Sequence, residues 1–200
     1  MTNSTGSFGE FLLYLKVVRD LFKFCLIGDG GVGKSTFLYY LRTGDLADKQ
    51  DIERTPYINI ESCILGGHNL QLYDLAGQRR KNAHPLDHIQ AVVFKEVDVL
   101  LFFFSLNNFH SFLNVRKWYE EIKTIYDIWE QPLPTMYLVG NKLDLPREVE
   151  SLNGEELVKS VPGFKGYFEI SLFSGKNVDR FLKAICEELE AKLFQYAQYK

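Results

Sequence analysis

The residues able to do chemistry fall in short stretches of the chain. Gly28-Asp29-Gly30-Gly31-Val32-Gly33-Lys34-Ser35 fits GxxxxGK[ST], with Thr36 next. Such a loop turns backbone N–H groups inward around phosphate oxygens, and the helix expected to begin at Lys34 adds positive potential. Lys34 would bridge the β- and γ-phosphates of a nucleotide, and the Ser35 hydroxyl would ligate Mg²⁺. A glycine-rich turn without a ligand is the bland alternative, disfavoured by the complete motif between a strand and a helix. The loop alone neither selects ATP or GTP nor proves hydrolysis. Further on, Gly140-Asn141-Lys142-Leu143-Asp144 follows the apolar run Thr135–Val139. A carboxylate placed there accepts two N–H bonds from a guanine edge, at N1 and the 2-amino group, a donor pair adenine lacks. An isolated NKxD is a weak signal, equally consistent with a helix-initiating turn; behind a buried strand it is a strong one.

These stretches need a frame. Phe22–Ile27 reads as a strand, and Ser35–Arg42 as a helix with Phe37, Leu38 and Leu41 on one face. Gly44–Thr55 reads as a loop. Tyr57–Leu65 and Asn69–Tyr73 alternate like strands joined by Gly66-Gly67-His68. Val97–Ser105 is nearly continuous apolar, as in a strand buried on both faces. Phe109–Trp129 is helical, with Phe112, Val115, Tyr119, Ile122 and Tyr126 recurring at helical spacing. Thr135–Val139 is another buried strand. Asn153–Ser160 is a short helix with Asn153 as N-cap and Glu156 three residues on. Tyr167–Ile170 is the last strand, and Val178–Leu193 a closing amphipathic helix. Strands separated by helices predict a three-layer α/β domain with a mostly parallel sheet and ligand loops at the carboxyl ends of its strands. The motifs fall in loops that leave strands, as that architecture requires.

The 200 residues suffice for one sizeable domain. Net charge is −3, which does not suggest a nucleic acid partner. Three scattered cysteines, Cys25, Cys63 and Cys186, argue against a disulfide framework or zinc site and for a cytoplasmic location. No apolar run reaches the roughly 20 residues that span a bilayer. Thr2 after the initiator Met predicts no N-myristoylation, and the QYAQYK ending no prenylation.

With its motif order (GDGGVGKST, a threonine in a polar loop, DLAGQ, NKLD, then ISLFSG), the chain from about Phe22 to Phe194 resembles the Ras superfamily of small GTPases. The resemblance implies a P-loop NTPase fold: a six-stranded sheet, mostly parallel with one antiparallel strand, and helices on both faces. Residues 21–200 would form this G domain, and 1–20 an N-terminal extension with a helical pattern. The resemblance further implies GTP or GDP as ligand and Mg²⁺ as cofactor. Asn141 and Asp144 would bind guanine, with Lys142 packing on the base and Ser171 supporting it. The usual Ser-Ala-Lys is Ser171-Leu172-Phe173 here: Leu172 would contact through its backbone, and Phe173 either covers the base or is a core aromatic. Asp74 would hold Mg²⁺ through a water, the Gly77 N–H would meet the γ-phosphate, and Gln78 would orient the attacking water. Thr55 would join Mg²⁺ and γ-phosphate only in the GTP state. Gly30 leaves room for that chemistry; the loop glycines with Val32, Gly31 and Gly33 line the phosphates.

The chain departs from the family pattern in several places. Gly44–Arg54 has no aromatic to lie over guanine, Leu46 being the nearest substitute, which predicts faster GDP release. Arg79-Arg80-Lys81 replaces the usual acidic residues. It reads as a solvated run, a surface for an acidic partner, or a source of an arginine acting in cis, with Arg54 as another candidate. Lys81–Phe94 is longer than usual; Pro85 between His84 and His88 argues against zinc. Phe8, Phe11, Leu12, Leu15 and Val18 share a helical face, suited to packing on the domain or on a partner more than to a membrane. The resulting expectation is an enzyme acting as a GTP switch, with effector, GAP and exchange-factor partners. The rivals are a nucleotide-holding module with little hydrolysis and a membrane-associated trafficking GTPase using residues 8–21.

Overall fold

The computed structural model describes residues 20–46, 55, 58–77 and 93–198. The expectations for residues 1–19, Arg54, Gln78, Arg79-Arg80-Lys81, His84 and His88 lie outside that set. The element order is β1 (Leu21–Ile27), α1 (Lys34–Thr43), β2 (Ile58–Leu65), β3 (His68–Leu75), β4 (Val99–Ser105), α2 (Phe109–Ile128), β5 (Thr135–Asn141), α3 (Ser151–Ser160), β6 (Phe164–Glu169) and α4 (Val178–Gln198). The sheet has six strands in the order β2-β3-β1-β4-β5-β6. β2 runs antiparallel to β3, and the other pairings are parallel. The expected α/β architecture is the one observed.

Alternation along the strands divides the core between the two faces of the sheet. Cys25, Ile27, Leu100, Phe102, Phe104 and Leu138 point to the face covered by α2 and α3. Phe24, Leu26, Leu101, Phe103, Tyr137 and Val139 point to the face covered by α1 and α4. Every residue of β4 is buried, as its unbroken apolar run requires. β1 and β4 are central, so the loops leaving them sit in the middle of one sheet edge, where the order reverses.

Local details correct several boundaries. His68 is not a turn residue: Gly66 and Gly67 make the turn, and His68 begins β3 with its ring nitrogen 2.9 Å from the Asp20 carboxylate. Asn153 is not the N-cap of α3. The cap is Glu150, and Asn153, at the third helical position, accepts the Glu150 N–H at 3.0 Å through Oδ1. The Glu150 side chain in turn accepts the Asn153 N–H, so the two residues close a reciprocal capping box. β6 begins earlier than Tyr167 because Phe164 pairs with Met136 and Gly166 with Tyr137, with Lys165 the extra residue at the register shift between them.

The carboxylate of Glu188 ties α4 to the sheet. It is almost fully buried and accepts from Thr135 Oγ1 at 2.8 Å and from Lys165 Nζ, with Lys192 Nζ 3.6 Å away. Burial pushes its pKa up, but the bonds from Lys165 and Thr135 and the nearby lysine charges outweigh burial and hold it below the ordinary glutamate value. A depressed carboxyl contributes stability above its unfolded pKa and loses it as pH falls through the folded value. Glu188→Gln should cost about 1–2 kcal/mol near neutral pH. In thermal melts, the gap from wild type should narrow below about pH 4.

Candidate functional site

The loop from Gly28 to Gly33 connects β1 to α1. Gly33 is the N-cap residue of α1, at φ 107°, a left-handed conformation that suits glycine. A Cβ there would lie 2.1 Å from Asn141 Nδ2, so no larger residue fits. The cap has no side-chain hydrogen bond, and the first turn of α1 holds no acidic residue. The helix therefore presents unsatisfied N–H groups and its positive end to the loop, an arrangement suited to an anion. Lys34 is only 5% exposed, and its Nζ donates to Gly28 O at 2.7 Å and Asp29 O at 2.9 Å. Burial pushes its pKa down to about 8, against the pull of Asp74 and Asp29. Val32 is buried, Gly31 is exposed, and Thr36 follows half-buried in the first turn of α1.

At the end of β3, Asp74 is fully buried. Its Oδ2 accepts from Ser35 Oγ at 2.5 Å and from Thr55 Oγ1 at 2.9 Å, and the two hydroxyl oxygens are 3.0 Å apart. Its Oδ1 is buried without a hydrogen-bond partner among the described residues. Burial raises the Asp74 pKa, while the bonds from Ser35 and Thr55 and the Lys34 charge oppose the shift. A carboxylate and two hydroxyls gathered on one point, with a buried carboxylate oxygen left over, form an all-oxygen donor set. That chemistry fits Mg²⁺, so Ser35, Thr55 and Asp74 are the residues able to hold it. The structure brings together the three residues that the sequence assigned to the metal.

Beyond Asp74 the chain leans directly on the phosphate loop. Gly30 N–H donates to Gly77 O at 3.1 Å. A Cβ on Gly77 would stand 2.2 Å from the Asp29 carbonyl carbon and 2.3 Å from Gly30 N. Only glycine permits this approach.

The remaining wall comes from β5 and the loop after β6. Asn141, the last residue of β5, donates from Nδ2 to Val32 O at 3.0 Å and accepts the Leu172 N–H at 3.2 Å through Oδ1. It is a staple across three loops, a role the sequence reading did not foresee. Ser171 Oγ donates to Asp144 Oδ1 at 2.5 Å and accepts from Ser174 N–H at 3.0 Å, which aims the Asp144 carboxylate. Asp144 is exposed, and Lys142 is held at φ 67°, a left-handed backbone that only the surrounding loop contacts sustain. Phe173 is 55% exposed, which rules out the core-aromatic reading. Leu46 reaches the same loop: its Cδ1 would touch a Cβ on Gly175 at 3.7 Å.

Comparison with known proteins agrees with this geometry. A family model described as Ras family matches residues 23–191. The chain belongs to the Ras superfamily of small GTPases. It is 30% identical over 191 residues to the human Ras-related protein Rab-27B, covering 88% of this chain and 82% of that one. It is 31% identical over 177 residues to rat Ras-related protein Rab-26, covering 86% and 64%. It is also 30% identical over 191 residues to a zebrafish (Danio rerio) Ras and EF-hand domain-containing protein, covering 90% of this chain but 27% of that longer one. These likenesses do not single out one subfamily. Members of the family in general bind GTP and GDP with Mg²⁺ and act as switches through regulators and effectors.

Because Asn141 joins three loops, its side chain has a readout independent of any ligand. Asn141→Ala leaves the buried Val32 carbonyl and Leu172 N–H without partners, and should destabilise the nucleotide-free protein by about 2–4 kcal/mol. Urea unfolding followed by far-UV circular dichroism checks this.

Proposed function

We propose that this chain binds guanine nucleotide with Mg²⁺ and hydrolyses GTP slowly, alternating between two states of the segments around Thr55 and Gly77. The convergence of Ser35, Thr55 and Asp74 beside the Lys34 loop is the observation that supports this most. Thr55 reaches the same point as the P-loop serine, so a ligand there would draw on a residue from a separate segment. In this reading the N–H groups of Gly31, Val32, Gly33, Lys34, Ser35 and Thr36 surround the phosphates, and Gly30, its N–H bonded to Gly77 O, leaves room beside them. Lys34 moves from its carbonyl partners to phosphate oxygens. Ser35, Thr55 and Asp74 would hold Mg²⁺, which would supply charge neutralisation to the phosphates when bound. Asp144, aimed by Ser171, accepts hydrogen bonds from the guanine N1–H and 2-amino group. Asn141, Lys142, Leu172 and the exposed Phe173 line the base, and Gln78 with the Gly77 N–H serves the γ-phosphate. Phosphoryl transfer depends on positioning and charge neutralisation, so intrinsic turnover is slow and a partner's arginine would raise it.

A competition assay with fluorescent GDP tests base choice. GTP and GDP should displace the probe and ATP should not. Asp144→Ala should weaken GDP by about a hundredfold, as expected from losing a charged acceptor of two bonds. Equal displacement by ATP would contradict the reading. Single-turnover release of phosphate from bound GTP separates a hydrolysing switch from a nucleotide-holding module: a Gln78→Leu variant should lose the turnover that the wild type shows.

A further inference from the structure

Asp29 has a feature that the nucleotide reading does not use. Its backbone carbonyl is one of the two that hold Lys34, yet its side chain points the other way, to α2. Oδ1 accepts from Trp118 Nε1 at 2.9 Å and Oδ2 accepts from Asn114 Nδ2 at 2.6 Å. Trp118 is 2% exposed and packed in the core between α2 and the sheet, so the indole N–H is a fixed donor. Asn114 lies one turn before it on the same stripe of α2. The backbone of Asp29 is also what Gly77 abuts. One residue is thus where the phosphate loop, α2 and the segment after β3 meet.

A carboxylate in a phosphate loop opposes an incoming phosphate unless it is turned away and hydrogen-bonded. The two donors from α2 do both. They also fix the Asp29 peptide from its side chain, and therefore the carbonyl that faces Lys34. We propose that Asp29 is a positioning residue for nucleotide retention: clamped by Trp118 and Asn114, it locks the phosphate loop to α2 and slows nucleotide release. The proposal rests on the guanine-nucleotide reading of the loop.

The test is the rate at which fluorescent GDP leaves the full chain in excess Mg²⁺ after addition of unlabelled GDP. Asp29→Ala and Trp118→Phe should each speed release about tenfold, the size expected from losing a charge-assisted hydrogen bond. The double variant should release no faster than the faster single variant, because both remove one clamp. Asp29→Asn keeps an acceptor for the indole but loses the charge and the second acceptor facing Asn114, so its release rate should fall between wild type and Asp29→Ala. Melting of the nucleotide-free proteins is recorded alongside. A purely structural contact would lower the melting temperature and leave release unchanged, which would overturn the proposal. So would independent, multiplying effects of the two single variants. If Trp118→Phe fails to fold, the Asp29→Ala and Asp29→Asn pair decides by itself. A wild-type chain that retains no GDP would sink the nucleotide reading and this proposal together. A wild type that retains GDP, with Asp29→Ala releasing it at the same rate, would sink the clamp alone.

Discussion

The site depends on a buried carboxylate that the protein only half satisfies. Asp74 is the penultimate residue of β3, which lies between β2 and β1, and has no exposure to water. Its Oδ2 collects hydroxyl groups from α1 and from the segment before β2, while Oδ1 has no partner among the described residues. A buried, incompletely paired carboxylate is costly in a fold that needs it only for packing. The cost makes sense where a cation completes the set. Placing Asp74 requires the parallel pairing of β3 with β1, which puts Leu26 opposite Asp74 at the foot of the phosphate loop. Placing Ser35 requires the turn through Gly33 that starts α1.

The other loops are bound to this centre by long-range hydrogen bonds more than by their own turns. Asn141 joins the phosphate loop to the loop after β6, Ser171 aims Asp144, and Asp29 reaches α2. At Gly77 two backbones come too close for any side chain, and at Gly33 a side chain would run into the Asn141 amide. Tight approach at those points makes the loops one unit.

Much of this was legible in the sequence. Phosphate and metal chemistry call for contiguous residues in a set order, so Gly28–Thr36 and Asp74–Gly77 stood out as motifs. The strands were legible because β1, β4 and β5 lie between two helical layers and read as apolar runs. What was hidden depends on contacts between distant residues. The Asp29 contact to Trp118 spans 89 positions and that of Asn141 to Val32 spans 109, and neither pair has a local pattern. Asn153 was misplaced because asparagine is a favoured N-cap, while here Glu150 takes the cap and Asn153 fills the reciprocal place three residues on. Phe173 was ambiguous because an aromatic residue in a loop reads the same whether it faces the core or a ligand; its exposure decided against the core.

The central claim is that Asp74, Ser35 and Thr55 form a cation site that serves a guanine nucleotide. Its most direct test is the affinity for GTP, measured by calorimetry across a Mg²⁺ titration, in wild type and in Asp74→Ala. Mg²⁺ should tighten GTP binding by at least about tenfold in wild type, and Asp74→Ala should abolish this dependence. GTP binding by the wild type that is indifferent to Mg²⁺, or a Mg²⁺ effect that survives Asp74→Ala intact, would contradict it.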